Sequence, residues 1–551
     1  MSTTPTVIDY VLRRLHEIGI SDVFGVPGDF AFPMHDAIVA HPEINWIGCC
    51  NELNAAYAAD GYARVRGVGA VSTTYGVGEL SAISAVAGAY AEHLPVFHLV
   101  GMPNLATQAN RALVHHTLGN GEFELFRKMA DIVVGASAII TPANVVSETE
   151  RLIHEALYNR RPVYLAFPTD VVDKPILATS APLPLPVSEP EALTAAVDAV
   201  AQALSAASTA CVLPGLLLHR LHITDIATQF VDAAGLPFAT MFADKSAIDE
   251  DHPRYIGMYD GQLMEEDVRV FVESADVVIT VGTMQTDFNT GAFTARLDPA
   301  RTIDIGLHRT TVGSAVYQNV EMADVLRELA SRAWTKRFPP GPRPTSLGPV
   351  VGSAAEPITA AALYPRWADF LREDDIVIAE TGTCSMGLAF AQLPHGARFY
   401  NQTLWGAIGW ATPASLGAAV AAPDRRVVLI TGEGSHQLTV QEISQFHRLG
   451  LRPIIFVLNN SGYLIERLLC KDPGIVYNDV ATWNYAELPH ALGCDDWFTE
   501  RVTTCGELDE ALAKAAQGDQ ATYIEVVTDT YEAPPLPNKL HENVKTLYNI
   551  G

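Results

Sequence analysis

The stretch VVLITGEGSH, residues 427–436, decides how the chain is read. Val427 to Ile430 form a short run of β-branched and aliphatic residues, the pattern of a strand buried on both faces. Where the run ends, one acid, Glu433, stands between two glycines. The next segment, QLTVQEISQFHRLG (437–450), predicts a crossover helix with Val440, Ile443 and Phe446 inward and Gly450 as its C-cap. A second apolar run, RPIIFVLNN (452–460), then ends in Asn459-Asn460-Ser461-Gly462. A right-handed crossover brings two such strand ends to the same sheet edge, where ligands of open α/β sheets gather. That edge offers a carboxylate, an amide oxygen and a glycine carbonyl, the hard oxygen ligands that Mg²⁺ takes beside a diphosphate. Glycines there let backbone N–H groups approach phosphate oxygens. Each short motif is common in turns, so the joint placement carries the signal. The segment GEGSHQ lacks the third glycine of a dinucleotide fingerprint.

The same texture repeats outward in both directions. Apolar runs such as LPVFHLVG, RPVYLAFP, ADVVITVG, DDIVIAETG and TYIEVVTD alternate with helical stretches such as NELNAAYAADGYARV and LTAAVDAVAQAL. This alternation predicts an α/β chain of doubly wound parallel sheets. Two Pro-rich stretches, 174–192 and 337–357, read as linkers and divide it into three domains, 1–180, 190–340 and 355–551.

Composition narrows the function. The formal charge of −27, from 63 acidic and 36 basic residues among 551, argues against a nucleic-acid or anionic-membrane partner. No run approaches the about 20 apolar residues of a membrane span. The start, MSTTPTVIDYVLRRLHEIG, is amphipathic and lacks the apolar core of a signal peptide. Seven cysteines, at 49, 50, 211, 384, 470, 494 and 505, are odd in number and lack zinc spacing, which fits reduced thiols in a cytoplasmic protein.

With these residues in view, GEG followed after 24 residues by NN resembles the thiamine diphosphate motif, usually written GDG and NN. FGVPGDF (24–30), NELNAAYAADGYAR (51–64), VHHTLGNGEF (114–123), LWGAIGW (404–410) and NNSGYLIE (459–466) extend the likeness over the whole chain. They resemble the pyruvate, indolepyruvate and phenylpyruvate decarboxylase group of thiamine diphosphate-dependent 2-oxo acid decarboxylases. The resemblance implies the thiamine diphosphate-binding fold, with an N-terminal pyrimidine-binding domain, a middle domain and a C-terminal domain for diphosphate and Mg²⁺. It implies non-oxidative conversion of a 2-oxo acid to an aldehyde and CO2, and a homodimer at minimum, with a homotetramer common in the family.

Residue by residue, the resemblance makes Glu433, Asn460 and the Gly462 carbonyl the Mg²⁺ ligands, although the family has Asp where this chain has Glu433. Thr381, Thr383, Gly434 and Ser435 join Asn460 around the cofactor. Gly406 offers its carbonyl to the pyrimidine amino group and Ile408 wedges under the bent cofactor. Glu52, otherwise an ordinary first-turn acid, hydrogen-bonds the pyrimidine ring of the cofactor and switches it on. Asp29, His115, His116 and Glu466 match the positions that handle protons around the substrate. Ser385 stands where strict pyruvate enzymes carry a bulky aromatic, so with Ile465 and Leu469 it predicts a pocket for a 2-oxo acid larger than pyruvate. The competing readings are a pyruvate decarboxylase proper, a carboligase resembling acetolactate synthase, and a non-catalytic paralogue whose Glu433 has spoiled the metal site.

Overall fold

Runs of β-branched residues flanked by helices bury both faces of the central strands, and three sheets result. The computed structural model describes residues 5–176, 181–263 and 265–542. Both outer ends of the expected domain layout, and its boundary at residue 180, lie outside the described residues. The first sheet contains β1 (Asp22–Gly25), β2 (Asn45–Gly48), β3 (Gly69–Thr73), β4 (Val96–Met102), β5 (Ala136–Ile139) and β6 (Val163–Pro168). Its order is β2-β1-β3-β4-β6-β5, parallel throughout. The second contains β7 (Ala210–Pro214), β8 (Phe238–Thr240), β9 (Tyr255–Met258), β10 (Val277–Val281), β11 (Thr302–Ile305), β12 (Arg309–Val312) and β13 (Ala315–Gln318). The third contains β14 (Ile376–Ala379), β15 (Arg398–Tyr400), β16 (Val427–Gly432), β17 (Ile454–Asn459), β18 (Phe498–Val502) and β19 (Thr522–Val527), in the order β15-β14-β16-β17-β19-β18.

The expectation of wholly parallel sheets needs one correction. In the second sheet, ordered β13-β12-β11-β10-β7-β8-β9, strands β11, β12 and β13 pair antiparallel. The cause is local: Gly313, at φ +56°, and Ser314 form a two-residue hairpin that pairs Val312 with Ala315.

Packing divides the described chain into two compact units. One holds the residues up to 186 together with 412–424 and 439–451, and the other holds the rest. The first unit captures 412–424 through close helix contact. A Cβ on Gly61 would sit 2.0 Å from the Ala414 carbonyl oxygen, and one on Gly417 would sit 1.8 Å from that of Ala58. Only glycine permits this approach between the helices Glu52–Arg66 and Ala411–Ala421.

The first unit also buries an acid that couples stability to pH. Glu79, 3% exposed, accepts hydrogen bonds from the Gly76 N–H and the Tyr164 hydroxyl, both at 2.8 Å. Burial outweighs these bonds and raises its pKa to about 7. A folded-state value above the unfolded one means that folding takes up a proton, so this contribution is complete below about pH 4.5 and is lost as pH rises through about 7. Glu79→Gln is therefore expected to lose less stability than the wild type between pH 5 and 8, by a few kcal/mol at most. Parallel denaturation midpoints over that range would refute this.

In the third sheet β14 has β15 on one side and β16 on the other, with Ala379 opposite Ile430. All three strands are parallel, but the order of connection reverses between β14 and β16, the switch point at which such sheets open a crevice at their strand ends. The two strands singled out by sequence lie side by side, with Gly432 opposite Leu458. Between them the expected long helix is shorter, a 3₁₀ turn Val440–Glu442 followed by Ile443–Arg448. Val440, Ile443 and Phe446 are buried as expected, and Gly450, at φ +68°, stands one residue past the C-cap Leu449.

Candidate active site

The ends of β14, β16 and β17 wall a cavity of about 260 Å³ within the second unit. Thr381, Thr383 and Cys384 come from the first strand end, Glu433, Gly434 and Ser435 from the second, and Asn460, Gly462, Ile465 and Glu466 from the third. Ile408 joins the wall from its own loop.

Glu433 is 2% exposed, and its Oε1 accepts the Gly462 N–H at 2.6 Å. Burial raises its carboxyl pKa to about 7, against the pull of that N–H. The side chain thus reaches across from β16 to the turn that follows β17. Asn460 is buried and its Oδ1 has no hydrogen-bond partner, a costly arrangement unless something is bound. Gly462, at φ +146°, must be glycine, because a Cβ would come within 2.4 Å of Arg467 Nη2 and the Asn478 carbonyl oxygen. Its own carbonyl accepts the Leu464 N–H at 3.1 Å and keeps a second lone pair. A buried carboxyl, an orphaned amide oxygen and a glycine carbonyl suit a hard divalent cation.

Two charged residues that support this edge escaped sequence reasoning. Glu380, 1% exposed, accepts N–H groups of Thr381, Gly409 and Ala411 at 3.2–3.3 Å and the Thr431 hydroxyl at 3.4 Å. It ties the loop carrying Ile408 to two strand ends, and burial raises its pKa to about 7. Arg467 donates to the Ser461 carbonyl at 2.7 Å and to Asp479 at 3.0 Å, which fixes the Asn460 turn. The acid directly after the run IVIA was the one available signal for Glu380.

In the first unit, Glu52 opens the helix Glu52–Arg66, whose N-cap Asn51 accepts the Asn54 N–H at 2.8 Å. A Cβ on Gly78 would lie 3.3 Å from Glu52 Oε1, so that glycine leaves the carboxyl room. Glu442, fully buried, accepts the Cys50 N–H at 3.2 Å and the Asn54 side-chain amide at 2.7 Å. It therefore holds the start of the Glu52 helix from the segment that joins this unit. Also in the first unit, His115 Nε2 lies 2.7 Å from Asp29 Oδ2, and His116 Nε2 lies 3.8 Å from Asp29 Oδ1. Phe30 stacks on the His115 ring at 4.7 Å.

Three expected residues lie elsewhere. Gly406, at φ +65°, is on the Ile408 loop but not in the cavity wall. Ser385 is 1% exposed and donates its hydroxyl to the Gly382 carbonyl at 3.1 Å, so it lines no cavity described here. Helical phase turns its neighbour Met386 outward instead, into a second cavity of about 270 Å³ that Leu469 also lines.

Comparisons with known proteins show the family. Residues 5–122 match the thiamine pyrophosphate enzyme N-terminal TPP binding domain, 197–332 the central domain, and 380–526 the C-terminal TPP binding domain. The chain is 43% identical over 543 residues to an alpha-keto-acid decarboxylase of Mycobacterium ulcerans (strain Agy99), covering 97% of this chain and 95% of that one. This chain belongs to the thiamine diphosphate-dependent 2-oxo acid decarboxylase family. An alpha-keto-acid decarboxylase of Mycobacterium leprae (strain TN) is 42% identical, covering 96% of this chain and 94% of the other. The crystal structure of benzoylformate decarboxylase from Polynucleobacter necessarius superposes with a TM-score of 0.79 over 96% of this chain and 99% of the other, and at 18% identity it speaks for the fold. In this decarboxylase family member, the TPP-binding matches at either end contain Glu52 and the Glu433 to Glu466 edge. No helix among the described residues is long and apolar enough to cross a membrane.

Proposed function

We propose that the protein decarboxylates a 2-oxo acid larger than pyruvate to an aldehyde, using thiamine diphosphate held through Mg²⁺. The observation that carries the reading is the oxygen cluster at the cavity floor, where Asn460 Oδ1 is buried without a partner beside the Glu433 carboxyl. Glu433, Asn460 and the Gly462 carbonyl would hold the metal, and Gly434 and Ser435 would face the diphosphate. When bound, the cofactor supplies a nucleophilic carbon and a sink for the electrons released as CO2 leaves.

The chain's own groups do the rest. Glu52, fixed by its helix N-terminus, holds the proton that sets the cofactor's protonation state. Ile408 and Thr383 confine the cofactor from the cavity wall. Glu466 at the cavity and the hydrogen-bonded Asp29, His115 and His116 cluster supply the groups that move protons. A cavity of low polarity favours loss of a charged carboxylate from the substrate.

By family likeness, Glu52 of one protomer serves the metal edge of another, so the working form is at least a homodimer, with a homotetramer as the fuller assembly. Leu404, Trp405 and Ile408, each 37–41% exposed in the isolated chain, are apolar groups that such an assembly would cover. All seven cysteines are free, which suits the reducing cytoplasm.

Substrate size rests on the second cavity. Ile465, in the wall of the first, packs against the apolar cluster of Met386, Leu536 and Leu540 that lines the second, so a long tail has somewhere to go. Measuring kcat/KM for pyruvate, 2-oxoisovalerate, phenylpyruvate and indolepyruvate, with Mg²⁺ and with chelator, tests the reading. Mg²⁺-dependent aldehyde formation that favours the larger acids supports it. A preference for pyruvate overturns the size claim, and a hydroxyketone product would mean a carboligase.

A further inference from the structure

The first turn of the helix Val77–Ala91 touches two of the candidate proton-handling residues of the first unit. Gly76, its N-cap at φ +64°, packs so closely on the histidine loop that a Cβ there would sit 2.1 Å from the His116 carbonyl oxygen. Two residues on, a Cβ at Gly78 would lie 3.3 Å from Glu52 Oε1. One short turn therefore bounds both the His116 backbone and the Glu52 carboxyl.

His116 depends on such support. Its φ of +60° is left-handed, a conformation that a residue with a side chain keeps only where the surrounding packing holds it. Its ring meets His115 edge-on at 4.6 Å and Phe30 at 6.0 Å. Further along the same loop, the Phe123 carbonyl accepts the Tyr75 hydroxyl at 2.8 Å. The loop thus leans on the adjacent residues Tyr75 and Gly76 at two points.

Glu79 fixes that turn. Its Oε1 accepts the Gly76 N–H at 2.8 Å, which closes the helix start, and its Oε2 accepts the Tyr164 hydroxyl from β6, also at 2.8 Å. Glycine has the widest backbone freedom of any residue, so the Gly76 turn keeps its shape through this bond. Glu79 itself is 3% exposed and lines neither cavity described above.

We propose that Glu79 is a positioning residue for decarboxylation: through the Gly76 turn it sets the His116 backbone and the space beside Glu52. This deepens the decarboxylase reading and rests on the roles given there to His116 and Glu52. The two bonds of the carboxyl have separate consequences. The Tyr164 bond anchors Glu79 in the core, whereas the Gly76 bond holds the turn that touches His116 and Glu52.

The test compares variants of the full chain, assembled with thiamine diphosphate and Mg²⁺, on the most active of pyruvate, 2-oxoisovalerate, phenylpyruvate and indolepyruvate. Turnover is counted per bound cofactor. Replacing both partners of a buried bond by apolar groups of similar shape spares the fold, so Glu79→Met combined with Tyr164→Phe folds but offers the Gly76 N–H no carboxyl acceptor. Its kcat is expected to fall at least about tenfold, because small misplacements of reacting groups cost that much or more. KM and the affinity for thiamine diphosphate stay at wild-type values. Tyr164→Phe alone keeps the Gly76 bond, and Glu79→Gln supplies an oxygen for it, so both are expected within about twofold of the wild-type kcat. A purely structural role would instead lower the melting temperature and leave kcat per bound cofactor alone in every variant. Should the double variant not assemble, Gly76→Ala takes its place with the same expected loss, since the added Cβ meets the His116 carbonyl directly. Wild-type kcat in the double variant, or a Glu79→Gln form that loses as much as the double variant, overturns this inference alone. Absence of CO2 from the wild type with all four acids removes the decarboxylase reading and this inference with it.

Discussion

Glu52→Gln is expected to lower kcat by about a thousandfold at saturating cofactor, the order assigned to a positioned proton-transfer group. Glutamine has the same length and keeps the Asn51 cap and the Glu52–Arg66 helix intact, so the melting temperature and assembly should stay those of the wild type. The carboxyl is set by three features of the first unit: the capped helix start, the space left by Gly78, and the Glu442 anchor on Cys50 and Asn54. None of these depends on the Glu52 side chain being charged. A loss of activity without a loss of folding therefore reports chemistry. A variant within tenfold of wild type would remove Glu52 from the activation step.

The second large effect is expected at Glu433. Glu433→Ala removes the only carboxylate of the expected ligand set and should raise the Mg²⁺ concentration for half-maximal activity at least about a hundredfold, beyond the cost typical of outer-shell changes. Glu433→Asp tests the departure from the family pattern directly. In the wild type the longer side chain is drawn to the Gly462 N–H at 2.6 Å, which competes with a metal for Oε1. One methylene less withdraws the carboxyl from that bond, so the Asp variant should hold Mg²⁺ at least as tightly as the wild type. Unchanged Mg²⁺ dependence in Glu433→Ala would exclude Glu433 as a ligand.

Much of the fold was legible because burial on both faces leaves a direct mark. The runs ending β16 and β17 are almost wholly apolar, and their adjacency follows from a helix-length connection between parallel strands. The pair β12 and β13 left a weaker mark, since its strands are short, half-exposed and mostly polar, and only Gly313-Ser314 announces the hairpin. The membership of 412–424 in the first unit depends on small residues meeting at Gly61 and Gly417, a complementarity between distant segments that no local period encodes.

The site was legible to the same degree. Glu433, Asn460 and Gly462 could be brought together because topology sets their strand ends side by side, whereas Thr381, Thr383, Ile408 and Glu466, which share the same cavity wall, came from the family resemblance. Glu380, Glu442 and Arg467 were not legible, because a lone charged residue beside a loop reads as a solvated face and only tertiary packing shows it to be buried. Ser385, expected in the substrate pocket, is buried with its hydroxyl on the Gly382 carbonyl, and its helical neighbour Met386 lines the second cavity, a difference of phase that sequence spacing does not resolve.

The central claim is that a cluster of buried oxygens at two adjacent strand ends holds thiamine diphosphate through a divalent cation. Calorimetric titration of the assembled, cofactor-free protein with thiamine diphosphate tests it most directly. The account predicts saturable binding at one site per chain in Mg²⁺ and none in excess chelator. Absence of binding in abundant Mg²⁺, or binding that is indifferent to the chelator, would contradict it.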